Sequence, residues 1–351
     1  MSIKPQADFY YKNVCDFKLE NHHFSDDILE GFSAFTSLMR DIYKDYRSFE
    51  TSTKDKIKTK IGIAEDDLEN YHNITETVDC LYKMTALGTL QGEGETAYLN
   101  IDKPLLKSQF KKQASFALSI LEKHSFYFVF YKNDKEVKDY RSCNSFSIYY
   151  ENSNKLIPAM KLLADTSSNG LAFCMADYES IFTQMPVSPR KQCILNLLGD
   201  YAYLWLEFID AAEELGLSVD LNINPYVFPN WTAKILKGKK TICTFHINCD
   251  KLFIRLPLTF DIAKDLILRR NMLPDSINHC LSKWGCVGCG KCYDQSNIEI
   301  VEGVPLCTLK YSNFITEDSR ILSFAISNES ELNIIKKIIA SILQPNSIQP
   351  Q

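Results

Sequence analysis

No surplus of positive charge runs along this chain: Lys and Arg number 39 against 44 Asp and Glu, a formal charge of −5. The basic residues are scattered among acidic ones, so no field gathers to hold a phosphate backbone, and nucleic acid is not an expected partner. Long apolar runs are missing too. None reaches the roughly 18 uninterrupted residues that a spanning helix requires, and residues 1–12 are polar, with Pro5, Asp8 and Tyr10 where a secretory signal would carry its apolar core. A soluble, cytoplasmic protein with no membrane partner is expected. Also absent are a G-x-S-x-G elbow, an H-E-x-x-H pair, a complete P-loop, a dinucleotide fingerprint and an acidic pair in a recognisable frame. Those absences remove several motif-bearing enzyme classes and leave open whether the chain is an enzyme.

Two near-matches have plainer readings. Gly92 and Gly94 form a G-x-G within Gly88–Glu95, but no phosphate-facing lysine or third glycine accompanies them, so a tight turn before a strand at Thr96–Ile101 is expected. Lys237-Gly238-Lys239-Lys240-Thr241 is similar to the end of a P-loop, yet it falls in a hairpin.

With 351 residues, 45% of them hydrophobic, the chain is long enough for two or three compact units. The periodicities predict an α+β fold. Ser25, followed by Asp26 and Asp27, signals a helix start. Ile28, Phe32, Phe35, Met39, Ile42 and Tyr46 then recur at helical spacing as a core stripe. The lysine-rich stretch 51–62 reads as a solvated connection, followed by a short helix near Glu65 and another over Ile74–Leu87. His22-His23 offers half a metal site, with nothing nearby to complete it. Residues 1–100 are therefore expected to be a helical N-terminal region.

Residues 101–175 are expected to form a first α+β unit: a helix over Ser108–Lys123, strands at Phe126–Tyr131 and 145–150, and a helix from Lys155 to Ala164. Residues 176–275 repeat that order, with a long helix over 190–215, strands at 217–223, 231–236, 241–247 and 252–256, and a helix over Thr259–Arg270. Phe126–Tyr131 aligns with Trp231–Leu236 at an offset of 105 residues. The later strand and helix align at 106, matching Leu156 and Met160 with Ile262 and Leu266. A period that long points to duplicated domains rather than a solenoid. Beyond them, 276–345 is expected to be a Cys-rich metal-binding segment with a closing helix over Ser330–Leu343, and 346–351 a disordered tail.

The segment F-P-N-W-T-A-K-I-L-K-G-K-K-T-I-C-T-F-H, Phe228 to His246, resembles a domain of uncharacterised bacterial proteins. In these a P-x-W strand and a Gly/Lys hairpin precede further strands and a helix, and some carry a C-terminal cysteine cluster. The resemblance implies an α+β fold over Phe228–Ile339 and supplies no activity or catalytic residue.

The most specific chemistry lies in His279–Cys307, which holds five of the twelve cysteines. Cys286, Cys289 and Cys292 form C-x2-C-x2-C, Cys280 lies six residues upstream and Cys307 fifteen downstream. Clustered thiols in a reducing compartment point to metal or redox chemistry. Gly285, Gly288 and Gly290 permit the tight turns that aim sulfurs inward and free N–H groups for thiolates. Structural zinc on Cys286, Cys289, Cys292 and Cys307 is the leading reading, with Ile298–Leu306 as a hairpin that returns Cys307 to the other three. Cys280 is the spare, although it remains open whether it replaces one of the four. The alternatives are a [4Fe–4S] cluster, since the run resembles a bacterial ferredoxin motif without its final C-P, and thiols that hold no metal. The remaining seven cysteines read as core thiols.

The expected function is a binding or interaction module with a structural zinc site. One alternative is an iron–sulfur redox protein. Another is a small-molecule-binding protein with a cleft walled by Trp231, Tyr226, Phe126 and Tyr149, for which ordinary core packing is the plainer account.

Overall fold

The computed structural model describes residues 4–14, 24–49, 73–93, 96–110, 114–153, 155–189, 191–224, 229–284, 298–308 and 320–343. The fold is α+β, with helices and antiparallel sheets divided between two compact units, Met1–Ser188 and Pro189–Gln351. No helix among the described residues is long and apolar enough to cross a membrane.

The first unit opens with α1 (Lys4–Asn13) and α2 (Asp26–Lys44). Ser25 caps α2 by accepting from the Ile28 N–H at 3.4 Å, and Phe32, Phe35, Met39 and Ile42 on its stripe are fully buried. Next come α3 (Asn73–Leu87), β1 (Thr89–Gln91) and β2 (Tyr98–Asp102). The glycine-bearing turn is thus a β-hairpin, with Leu90 opposite Leu99 and Gly92 at φ +72°.

The single helix expected over Ser108–Lys123 is two, α4 (Lys103–Gln109) and α5 (Ala114–Lys123). Asp102 caps the first by accepting from the Leu105 N–H at 3.1 Å, and Pro104 occupies its first turn, start signals that the apolar period does not register. Strands β3 (Phe126–Lys132), β4 (Lys135–Val137) and β5 (Ser145–Tyr150) follow. Positive φ at Asn133 and Asp134 makes the two-residue turn between β3 and β4. Helix α6 (Leu156–Thr166) precedes α7 (Gly170–Cys174) and α8 (Tyr178–Thr183), which are too short to show a period and are started by the side chains of Asn169 and Asp177.

The first sheet has the order β1-β2-β5-β3-β4. Leu99, Ile101, Phe146 and Ile148 bury one face. The other carries a cross-strand row in which the Tyr149 ring stacks 4.9 Å from Tyr98 and 4.6 Å from Tyr127. Helices α2 and α6 pack at Gly31, where an added Cβ would lie 2.3 Å from the Lys155 carbonyl oxygen.

In the second unit the expected long helix is broken into α9 (Lys191–Leu198) and α10 (Ala202–Glu214). Gly199 adopts φ +53°, and the turn brings the Leu197 carbonyl to the Asp250 N–H at 2.8 Å. The apolar period continues across the break and conceals it. Gly216, at φ +64°, ends α10: Gly216 N–H donates to Glu213 and Leu217 N–H to Ala212, each at 2.9 Å. A meander of β6 (Ser218–Asn224), β7 (Asn230–Lys237), β8 (Lys240–Asn248) and β9 (Lys251–Pro257) leads to α11 (Phe260–Leu268) and α12 (Asp275–Ser282). Then come β10 (Ile298–Val301), β11 (Val304–Cys307), β12 (Ile321–Ile326) and α13 (Glu329–Leu343).

The second sheet has the order β12-β9-β8-β7-β6, and β10 and β11 form a separate hairpin. Trp231, Phe245, Ile254 and Leu322 are among the buried residues of the sheet's core face. Phe208 of α10 lies 4.4 Å from the Phe245 ring, and the Lys336–Glu207 ion pair at 2.6 Å joins α13 to α10. Strands β3 and β5, which the sequence offset matches with β7 and β9, are direct neighbours, whereas β8 lies between β7 and β9.

Candidate metal centre

The cysteine-bearing segment begins where α12 ends. Trp284, two residues beyond that helix, donates from Nε1 to the Ile321 carbonyl at 2.9 Å. The chain therefore leaves from, and returns to, the same end of β12. Cys286, Cys289 and Cys292 fall within 285–297, outside the described residues, as do 309–319, the connection before β12.

Between these stretches the hairpin β10–β11 is described. Glu302 and Gly303 take φ +47° and +80° to make its turn, and the register sets Ile298 opposite Cys307 and Val301 opposite Val304. Val301, Val304 and Leu306 are buried, and Ile300 is 73% exposed. The hairpin packs on α11, where Lys264 pairs with Glu299 at 2.6 Å. Cys307 is thereby held opposite the first residue after 285–297, and five residues lie between Cys292 and Ile298.

Cys280 is engaged elsewhere. Its buried sulfur accepts from the Ser323 N–H at 3.3 Å and donates toward the Ile321 carbonyl at 3.6 Å. Burial pushes its thiol up from the ordinary range. Together with Trp284 it satisfies backbone groups at the start of edge strand β12.

Of the dispersed cysteines, Cys80, Cys143, Cys174, Cys193 and Cys243 are buried and Cys249 is half-buried. Burial holds the Cys80 thiol at about 12, and the Cys174 and Cys243 thiols are also raised, first by burial. These are core thiols in packed surroundings. Cys15 and the pair His22-His23 lie outside the described residues. Among the described residues no group of three or more His, Cys, Asp and Glu side chains could hold a metal.

The aromatic candidates fall in both units. Trp231 is buried in the second unit, and Tyr226 lies outside the described residues. Phe126 is buried in the first unit opposite Tyr150, and Tyr149 stands on the other face of the same sheet opposite Tyr127. Two polar arrangements carry no periodic signal in the sequence. Lys103 is buried with its ammonium among three backbone carbonyls. His246 lies 3.2 Å from Asn230 Oδ1 and 3.4 Å from Thr232 Oγ1, half-buried on the face of the second sheet opposite its core. Burial, then the nearby Arg255, lowers the His246 pKa.

No protein-family model matches the chain, and comparison with curated proteins and with solved structures returns no match.

Proposed function

We propose that this chain is a cytoplasmic binding or interaction module whose C-terminal segment is fastened by a structural zinc ion on Cys286, Cys289, Cys292 and Cys307. The observation that carries the reading is the β10–β11 register, which sets Cys307 opposite Ile298, at the end of the stretch that bears the other three cysteines. The engagement of Cys280 with Ser323 and Ile321 supports leaving it outside the ligand set. Four thiolates close a tetrahedral zinc site and leave no position for a substrate, so the metal's contribution is folding energy. That is why an interaction role is preferred to catalysis.

The same proposal treats the two sheet-bearing units as products of duplication. In its support, both sheets are five-stranded, and the helix after β5 and the helix after β9 bury their matched positions, Leu156 and Met160 in one, Ile262 and Leu266 in the other. The differing strand order requires a later rearrangement of one sheet.

Metal analysis of protein purified without oxygen tests the zinc reading. One zinc per chain in a colourless sample is expected, whereas a brown sample containing iron and acid-labile sulfide replaces zinc with the iron–sulfur cluster that C-x2-C-x2-C also suits. Cys289→Ser should lose the metal and weaken hydrogen-exchange protection in β10–β11, and Cys280→Ser should keep the metal. Full metal content in Cys289→Ser would refute the ligand assignment.

A further inference from the structure

Strand β6 is hydrogen-bonded to β7 along one side, and no strand among the described residues lies on its other side. An edge strand directs the N–H and C=O of every second residue outward, and such a row is a template for another strand. The other edges of the two five-stranded sheets are blunted. Strands β1 and β4 are three residues long, and at β12 the Cys280 sulfur and the Trp284 indole take up the Ser323 N–H and the Ile321 carbonyl. Strand β6 is seven residues long, without lysine, proline or a bulge.

Its sequence, Ser-Val-Asp-Leu-Asn-Ile-Asn, is complementary to itself when reversed. Leu221 is the middle residue. Antiparallel pairing about Leu221 sets Val219 against Ile223 and Asp220 against Asn222. The apolar set Val219, Leu221 and Ile223 is half-exposed, while Asp220 and Asn222 are exposed on the other face. An axis through Asp220 would oppose two carboxylates, and one through Asn222 would shorten the overlap.

We infer that a second copy of this chain adds to β6 in antiparallel register about a twofold axis through Leu221. The β12-β9-β8-β7-β6 sheet of one copy and that of its partner then become one continuous sheet. About six to eight main-chain hydrogen bonds form across the axis. Asp220 accepts from the side-chain amide of the partner subunit's Asn222, and symmetry makes that contact twice. The half-exposed apolar row closes on its own image.

Sedimentation velocity on the full chain from about 1 to 500 μM tests this, a range set by the weak affinity typical of small interfaces. Concentration-dependent dimerisation is expected. Asn222→Asp, which places like charges opposite one another at two sites, should weaken it about tenfold. Asn222→Lys should tighten it by pairing with the partner's Asp220, and both variants should keep the parent circular dichroism spectrum. The register has its own test. The twofold brings the two Leu221 Cα atoms to about 4.5–5.5 Å, within reach of a disulfide. The two Val219 positions stand about 14 Å apart. Leu221→Cys should therefore cross-link chains under mild oxidation well above the parent, and Val219→Cys should not. A chain that stays monomeric throughout overturns the proposal and leaves the edge to a strand from another protein. A dimer indifferent to both Asn222 substitutions overturns it as well, because the interface is then elsewhere.

Discussion

Replacing Lys103 by Met should destabilise the first unit far more than loss of a surface lysine. Lys103 begins α4 and is 4% exposed. Its Nζ donates to the Tyr140 carbonyl, to Arg141 O at 2.9 Å and to Cys143 O at 3.0 Å, and lies 4.6 Å from the Tyr140 ring centroid. No carboxylate pairs with it among the described residues. The ammonium thus organises the β4–β5 connection, which Asp139 shapes locally by accepting from the Arg141 and Ser142 N–H groups at 2.8 and 3.0 Å. Each hydrogen bond to a charged group contributes about 1.5–3 kcal/mol, and desolvating the ammonium offsets several kcal/mol of that sum. A net loss of about 2–4 kcal/mol is expected for Lys103→Met, since three carbonyls lose their donor and water reaches them only in part. Lys103→Arg should recover little, because a planar fork cannot satisfy three converging carbonyls as an ammonium does. Urea titration followed by circular dichroism measures the loss, and hydrogen exchange over 138–145 locates it. All three tryptophans, Trp205, Trp231 and Trp284, belong to the second unit, so their fluorescence reports on that unit. Unchanged exchange over 138–145, or a stability change below about 0.5 kcal/mol, typical of surface substitutions, would refute the reasoning.

At Gly31 an added methyl would meet Ala159 Cβ at 2.5 Å as well as the Lys155 carbonyl, so Gly31→Ala should cost about 1–3 kcal/mol in the same titration. Its own helix propensity points the other way, and a more stable Gly31→Ala variant would show that α2 and α6 separate freely. Acidification should also destabilise the chain. Burial, opposed by Asp45 and Asp41 and reinforced by Lys123, lowers His124 below its usual 6.5, and Nε2 stands 3.5 Å from Asp45 Oδ2, the outer limit of a hydrogen bond. Its depressed folded value means that the unfolded chain takes up the proton first, so stability falls as pH drops through about 6.5 and levels off below the folded value. His246 has the same sign. Comparing His124→Gln with the parent between about pH 7.5 and 5 isolates the first contribution, and an unchanged slope would exclude it.

Much of the fold is legible in the sequence because it rests on periodic burial. The α2 stripe, the alternation of β5 and β9 and the closing helix are all read from spacing. So is the Glu302-Gly303 hairpin, whose turn needs two residues at positive φ. Where the reading departs from the structure, one local group outweighs the period. Gly199 breaks an apolar run that is continuous on both sides of it, and Asp102 with Pro104 starts α4 ahead of the expected helix. Tertiary polar contacts leave less trace still. Nothing around Lys103 announces that carbonyls forty residues on will surround it. The spacing of Cys280 resembles that of a metal ligand, and only the position of β12 reveals what its sulfur contacts.

The clasp between Trp284 and Ile321 has a consequence for how this chain can change. Because the two ends of 285–320 are already side by side, the sheet is indifferent to the path taken between them. A longer connection between fixed points is cheap in general, with each doubling of a flexible loop adding only about 0.6 kcal/mol of closure entropy. The place is a port, at which residues can be inserted on either side of the β10–β11 hairpin, between two fixed posts, while β9 and β12 keep their register.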